Sequence, residues 1–169
     1  MYLAIIADIH DNLANLDKIL RWSAGNRIEK IICLGDITTT ETISHLAANF
    51  AGEIFVVLGN CELYQTTVFS SFPNLTYLGT EKNITLGGLL IGCCHESENI
   101  NRLISATGLK TGDPDFVFYG HTHKPWLKKR GRVIIANPGN VAGVFHQATF
   151  ATLETNNRQL ELKILATLA

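Results

Sequence analysis

The N-terminal third of the chain alternates short apolar runs with segments of helical periodicity. Residues 2–7 are continuously apolar, which is typical of a strand buried on both faces of a sheet. Residues 13–20 repeat Leu and Ile at helical spacing, and Gly25-Asn26 can end this helix. The pattern then recurs, with strands predicted at 30–34 and 54–58 and a helix at 41–50. Such alternation predicts a parallel sheet built through right-handed crossovers.

The rest of the chain has shorter apolar segments and tighter turns. Strands are predicted at 76–78, 83–86, 89–94 and 116–119, with a helix at 99–107. The tail suggests a meander of antiparallel strands at 132–136, 148–155 and 159–165. A second sheet packed on the first is the simplest arrangement. No repeat, low-complexity segment or linker interrupts the sequence, so we expect a single domain over residues 1–169.

Composition and charge exclude several classes of protein. The chain is 46% hydrophobic and 17% charged with a net charge of −1, which is typical of globular proteins and not of disordered or polycationic chains. We therefore expect no nucleic-acid partner. The N-terminus has no basic leader and no apolar run long enough to cross a bilayer, and the four cysteines lack CxxC spacing. These features predict a cytoplasmic protein with reduced thiols and no membrane segment.

Side chains that can bind metals stand where the predicted strands stop. One such residue is usually a turn former or a helix cap, but five of them follow strands whose carboxyl ends should share one sheet edge. His10 and His123 each lie two residues after another candidate, a spacing that directs both side chains to the same side of an extended backbone. The complete set of candidate ligands is Asp8, His10, Asp36, Asn60, His95, His121 and His123.

The donor types in this set indicate the class of metal and of reaction. Carboxylate, amide and imidazole donors without a thiolate suit Mn, Fe, Zn, Co or Ni. Seven donors are too many for one tetrahedral ion, and they suit two ions that share a carboxylate and acidify a water. Such a pair is suited to the hydrolysis of phosphate esters. The two remaining histidines, His45 and His146, are expected to be structural.

The ordered motifs resemble the calcineurin-like metallophosphoesterase superfamily. The resemblance spans roughly residues 1–143 and is carried by D-x-H at 8–10, G-D at 35–36, G-N-x-[DE] at 59–62, His95, and G-H-x-H at 120–123. The stretches GHTHKP at 120–125 and NPG at 137–139 make the chain most similar to the small bacterial and archaeal phosphodiesterase branch. That branch also contains the retromer-subunit scaffold of eukaryotes.

The resemblance implies a fold, a site and a reaction. The fold would be α/β (α+β), a two-sheet β-sandwich flanked by helices in four αββα layers. A hydroxide bridging two divalent ions, with manganese favoured, would attack phosphorus in line in a small phosphoester, and the protein would be a dimer or tetramer. One ion would be held by Asp8, His10, Asp36 and His123, and the other by Asp36, Asn60, His95 and His121, with Asp36 bridging.

The chain departs from the family pattern on the substrate side of the site. Cys61 stands where many members have a histidine that protonates the leaving group, and a thiol is poorly suited to that task. Glu62 replaces Asp and can still orient a neighbouring group, while Glu96-Ser97 replace Gly-His and bring a negative charge. We predict that Asn60, Cys61, Glu62 and Glu96 face the substrate, and that substrate preference or turnover is altered.

Two alternative interpretations of the sequence are a scaffold for protein partners and a metal-free α/β protein. A scaffold that docks protein partners would tend to lose His or Asp from the ligand set, and here none is lost. A large exposed apolar patch around Trp126 and Leu127 would favour the scaffold. A metal-free α/β protein would require five polar strand ends to coincide by chance.

Overall fold

The computed structural model describes residues 1–168 as two packed β-sheets with helices on their outer faces. The first sheet contains β1 (Tyr2–Ile6), β2 (Lys30–Cys33), β3 (Glu53–Val56), β4 (Leu75–Tyr77), β10 (Thr149–Glu154) and β11 (Gln159–Ile164). The second sheet contains β5 (Glu81–Leu86), β6 (Leu89–Cys94), β7 (Phe116–Phe118), β8 (Trp126–Arg130) and β9 (Val133–Asn137). The strand orders are β11-β10-β1-β2-β3-β4 and β5-β6-β7-β9-β8.

Within residues 1–168, three α-helices and three short 3-10 helices accompany the strands. The α-helices are α1 (Leu13–Gly25), α2 (Thr40–Asn49) and α3 (Ile100–Leu103), and the 3-10 helices are Thr66–Ser71, Ser97–Asn99 and Leu165–Thr167. Helix α1 begins where the Asn12 side chain accepts a hydrogen bond from the Asn15 amide at 3.0 Å. A side-chain oxygen at this position satisfies an amide that has no partner within the helix.

Parallel pairing places two sets of strand ends at one edge of the sandwich. In the first sheet β1, β2 and β3 run parallel, with Ile5 opposite Ile32 and Ile32 opposite Phe55. In the second sheet β6, β7 and β9 are also parallel to one another. The residues that follow these strands therefore meet at the carboxyl edge, as the sequence predicted.

The hydrophobic core has one layer between the sheets and one on each outer face. Fully buried side chains from both sheets, among them Leu3, Ile32 and Phe118, fill the space between them. Helices α1 and α2 cover the outer face of the first sheet, and α3 covers that of the second. This arrangement confirms the predicted two-sheet sandwich flanked by helices.

The prediction of an antiparallel meander in the tail is confirmed for its last two strands and was wrong for its first. Strand β9 joins the second sheet between β7 and β8, whereas β10 and β11 form a hairpin that pairs with β1 in the first sheet. The chain crosses between the sheets after β9, where the Val141 and Ala142 amides donate to the carbonyls of Ala7 and Asp8 at 2.9 and 3.0 Å. Apolar periodicity cannot reveal this crossing, because both β9 and β10 are almost entirely buried and neither pattern indicates its sheet.

Two further elements differ from the sequence-based expectation. Strand β8 was not predicted, because four of its five residues are exposed and three are basic, so it lacks an apolar pattern. Helix α3 spans four residues instead of 99–107. It ends early because the Asp113 carboxylate accepts hydrogen bonds from the amide and hydroxyl of Ser105, which holds the chain in a turn.

Within residues 1–168, the cysteines are free and the helices are short. All four cysteines are free, and Cys33, Cys93 and Cys94 are buried in the core. Burial raises the pKa of the Cys94 thiol to about 12, so it remains protonated. Within residues 1–168, every helix is too short or too polar to cross a membrane.

Truncation of Leu3 tests the layer between the sheets. Leu3 is fully buried there, so Leu3→Ala should lower the free energy of unfolding by about 2–5 kcal/mol through lost burial and a residual cavity. Leu109→Ala, at an exposed loop position, should change it by less than about 0.5 kcal/mol. Urea denaturation measures both values, and equal effects would contradict the assigned core.

Candidate metal centre

Seven polar side chains converge at the carboxyl edge of the two sheets, and we call them the donor cluster. The cluster contains two groups of residues. Inside each group all ligand atoms lie within 4.8 Å of one another, and Asp36 belongs to both groups. The first group contains Asp8, His10, Asp36 and His123, and the second contains Asp36, His95 and His121. Asn60 adjoins the second group through hydrogen bonds. These groups coincide with the two ligand sets that the resemblance implies.

The first group surrounds a space between two imidazoles and two carboxylates. The Nε2 atoms of His10 and His123 are 3.2 Å apart. His10 Nε2 lies 3.6 Å from Asp36 Oδ2, and His123 Nε2 lies 3.4 Å from Asp8 Oδ1. Two imidazole nitrogens and two carboxylate oxygens thus point at one another, which is the arrangement that a divalent cation needs.

The second group shares the Oδ2 atom of Asp36 with the first. His95 Nε2 is 3.4 Å from Asp36 Oδ2 and 2.9 Å from Asn60 Oδ1. His121 Nδ1 lies 2.8 Å from the same amide oxygen of Asn60. The other ring nitrogen of His95 lies 2.7 Å from the carbonyl of Leu34, to which it can donate. Such a bond orients the ring and leaves the Nε2 lone pair facing the cluster.

The backbone of the donor loops adopts a conformation that these residue types rarely take. Asp8, His10, Asp36, His121 and His123 all have positive φ values, between 44° and 65°. Each such residue costs on the order of 1–3 kcal/mol, and the conformation persists only where its surroundings fix it. Here the loops hold one another, because the amides of residues 9 and 10 both donate to the Asp36 carbonyl, at 2.9 and 3.0 Å. Strain of this kind is concentrated at the donors.

Glycine is required where the loops after β2 and β3 meet. A Cβ on Gly59 would lie 2.1 Å from Asp36 Oδ1 and 2.2 Å from the Asp36 amide nitrogen. The same Oδ1 accepts a hydrogen bond from the Cys61 amide at 2.9 Å. The Asp36 carboxylate is therefore fixed by backbone that only glycine allows to approach so closely.

The Glu62 carboxylate ties these two loops together. It accepts hydrogen bonds from the backbone amides of Ile37, Thr38 and Gly59 at 3.3, 2.8 and 3.1 Å. Hydrogen bonds to an ionised acceptor are stronger than neutral ones, and these three span the segments that carry Asp36 and Asn60. This geometry fits the orienting role expected of Glu62.

Burial and neighbouring charges give the two carboxylates opposite pKa shifts. Burial, opposed by the nearby His95, raises the pKa of Asp8 to about 7. Burial also acts to raise the pKa of Asp36, but the hydrogen bond and charge of His95 outweigh it and hold that pKa well below the usual range. A cation beside Asp8 would favour its ionised form. The donor types, the two facing histidines and this carboxylate chemistry all fit a pair of metal ions.

The remaining predicted residues occupy different positions around the cluster. Cys61 is exposed, and its sulfur accepts a hydrogen bond from the side-chain NH₂ group of Asn60 at 3.2 Å. Within residues 1–168, the Glu96 carboxylate makes no hydrogen bond to the donor cluster, so its role on the substrate side remains a prediction. His45 pairs with Asp17 at 2.6 Å between α1 and α2, and His146 lies in an exposed loop.

Two asparagines that support the cluster were not predicted as functional residues. Asn137 donates to the Gly120 carbonyl at 2.7 Å and to the Thr122 hydroxyl at 3.1 Å, which braces the loop that carries His121 and His123. Asn140 is fully buried and donates to the His123 carbonyl at 2.9 Å. The sequence signalled only a turn at 137–139, because asparagine is common in turns and the tertiary contact leaves no local pattern.

Known proteins share both the sequence pattern and the fold. A model of the calcineurin-like phosphoesterase superfamily domain matches residues 1–158. Phosphodiesterase MJ0936 of Methanocaldococcus jannaschii is 24% identical over 94% of this chain and 96% of its own length. The solved structure of an archaeal phosphodiesterase superposes with a TM-score of 0.85 at 21% identity, covering 97% of this chain and 99% of that one. The solved structure of a Vps29 mutant from Entamoeba histolytica superposes with a TM-score of 0.69 at 26% identity, covering 96% of this chain and 90% of that one.

Removal of the Glu62 charge tests whether this residue positions the cluster. Glu62→Gln keeps the shape but weakens three hydrogen bonds from backbone amides, so the affinity for Mn²⁺ should fall about 10- to 100-fold. Isothermal titration calorimetry measures this affinity. The exposed Glu98→Gln is the matched control, and an unchanged Mn²⁺ affinity in Glu62→Gln would contradict the positioning role.

Proposed function

Because the chain belongs to the calcineurin-like phosphoesterase superfamily and is therefore a metallophosphoesterase, we propose that it hydrolyses phosphodiesters at two divalent cations held by the donor cluster. The observation that carries the proposal is the pair of donor groups that share Asp36. The family resemblance favours manganese as the metal, and Zn, Fe, Ni and Co also suit these donors. The relatives described as phosphodiesterases support a diester substrate.

Seven residues would hold the two cations, and two others would position these donors. Asp8, His10, Asp36 and His123 would hold one cation, and Asp36, Asn60, His95 and His121 the other. Bound cations of this kind acidify a water and balance the charge that develops on the phosphoryl oxygens. Leu34 orients His95 through its carbonyl, and Glu62 fixes the loops around Asp36 and Asn60, so the donors need little rearrangement during the reaction.

The leaving-group side of the site favours activated esters. Cys61 occupies the position after Asn60, and no imidazole stands there to donate a proton. An alkoxide leaving group requires protonation, whereas a nitrophenolate departs without it. We therefore propose efficient cleavage of small aryl diesters and slower cleavage of alkyl diesters.

We also propose a cellular compartment and an oligomeric state for the enzyme. Three buried free thiols suit the reducing cytoplasm. Assembly into a dimer or tetramer is proposed from the family resemblance.

One observation favours a second function, the docking of a protein partner. Strands β8 and β11 are open edges of the two sheets, and Trp126, Leu127 and Leu162 are 52%, 56% and 47% exposed there. With neighbouring residues they line a cleft of about 250 Å³. The similarity to Vps29 fits this scaffold reading. The complete donor cluster favours the enzyme, since a scaffold has no need to keep all seven donors.

Hydrolysis of bis(4-nitrophenyl) phosphate tests the proposed activity. The wild-type protein with Mn²⁺ should release nitrophenolate, and Asp36→Ala should reduce kcat by about a hundredfold or more, because both donor groups lose their shared carboxylate. The structural His45→Ala should retain full activity. Absence of hydrolysis with each of Mn, Ni, Zn and Fe would contradict the proposal.

A further inference from the structure

Phe145 is exposed in an unusual backbone conformation. It is 88% exposed, the highest value for a large hydrophobic residue within residues 1–168. Its φ is 64°, in the left-handed region that bulky side chains rarely adopt. The ring is therefore exposed to solvent and contributes little to the hydrophobic core.

The backbone before Phe145 is held firmly against the donor cluster. The buried amide oxygen of Asn140 accepts hydrogen bonds from the amides of Gly143 and Val144, while its NH₂ group donates to the His123 carbonyl. The Ala142 amide donates to the Asp8 carbonyl at 3.0 Å. The loop is thus bonded to two donor residues, and Phe145 projects from an ordered support.

The Phe145 ring lies beside a donor histidine. Its centroid is 5.9 Å from that of the His123 ring, with the planes inclined by 47°. The other face of the ring is free to take a partner from solvent, given the 88% exposure of the residue. A phosphodiester bound at the donor cluster would carry its ester groups past this ring.

From this geometry we infer that Phe145 forms a subsite for a planar aromatic ring carried on one ester arm of the substrate. The inference rests on the proposed function and narrows its substrate class to phosphodiesters with an aromatic arm. Contact between the two rings would remove apolar surface from water and would position the phosphoryl group over the donors. The fixed loop means that little conformational freedom is lost on binding.

A pair of non-activated phosphodiesters isolates the contribution of the ring. Diphenyl phosphate and dimethyl phosphate carry the same charge. The ester arms of the first are aromatic rings, and those of the second are methyl groups. Isothermal titration calorimetry on the Mn²⁺-loaded protein should show tighter binding of diphenyl phosphate. Phe145→Ala should lower the ratio of the two affinities about threefold to tenfold, and Phe145→Trp should retain it.

Two controls separate a subsite from a structural role. Leu109→Ala removes another exposed apolar side chain, in the loop before β7, at the opposite end of that strand from His121, and should leave the affinity ratio unchanged. The Mn²⁺ affinity of Phe145→Ala should equal that of the wild type. A loss of Mn²⁺ affinity in this variant, or an unchanged affinity ratio, would overturn the inference.

The same experiments distinguish failure of the inference from failure of the proposed function. Hydrolysis of bis(4-nitrophenyl) phosphate by the wild type, together with an unchanged ratio in Phe145→Ala, would refute the subsite alone. If the wild type hydrolyses nothing, the proposed function fails and the binding ratio still decides the subsite. No binding of either phosphate would overturn the inference as well.

Discussion

The organisation of the site depends on the contacts of the Asp36 carboxylate. Its Oδ2 lies 3.6 Å from His10 and 3.4 Å from His95, so it joins two groups of donors, each of which draws on both sheets. Its Oδ1 is held by the Cys61 amide, in a space that only Gly59 leaves open. The parallel strands bring these loops to one edge, and the loops then fix one another through hydrogen bonds.

The sequence predicted this edge well because its signals are local. An apolar strand followed by a polar donor is visible in any short window, and parallel pairing brings such ends together. The first three strands and the convergence of the seven donors were obtained in this way, and both long helices from apolar residues at helical spacing. Strand β8 was missed because exposed lysines protect an open sheet edge, and such residues leave no apolar alternation.

Other features depend on contacts between segments that are distant in sequence. The crossing from β9 to β10 is set by the bonds of Val141 and Ala142 to β1 and its following loop. The bracing of the last histidine loop by Asn137 and Asn140 likewise requires the folded chain. The exposed ring of Phe145 becomes informative only once the structure shows the neighbouring His123 and the fixed loop.

Anomalous X-ray scattering from a crystal grown with Mn²⁺ tests the two-ion site most directly. Two anomalous peaks per chain are expected, one among Asp8, His10, Asp36 and His123, and the other among Asp36, Asn60, His95 and His121. Both peaks should lie beside the Asp36 carboxylate, because it belongs to both donor groups. A single peak, or peaks away from Asp36, would contradict the two-ion centre.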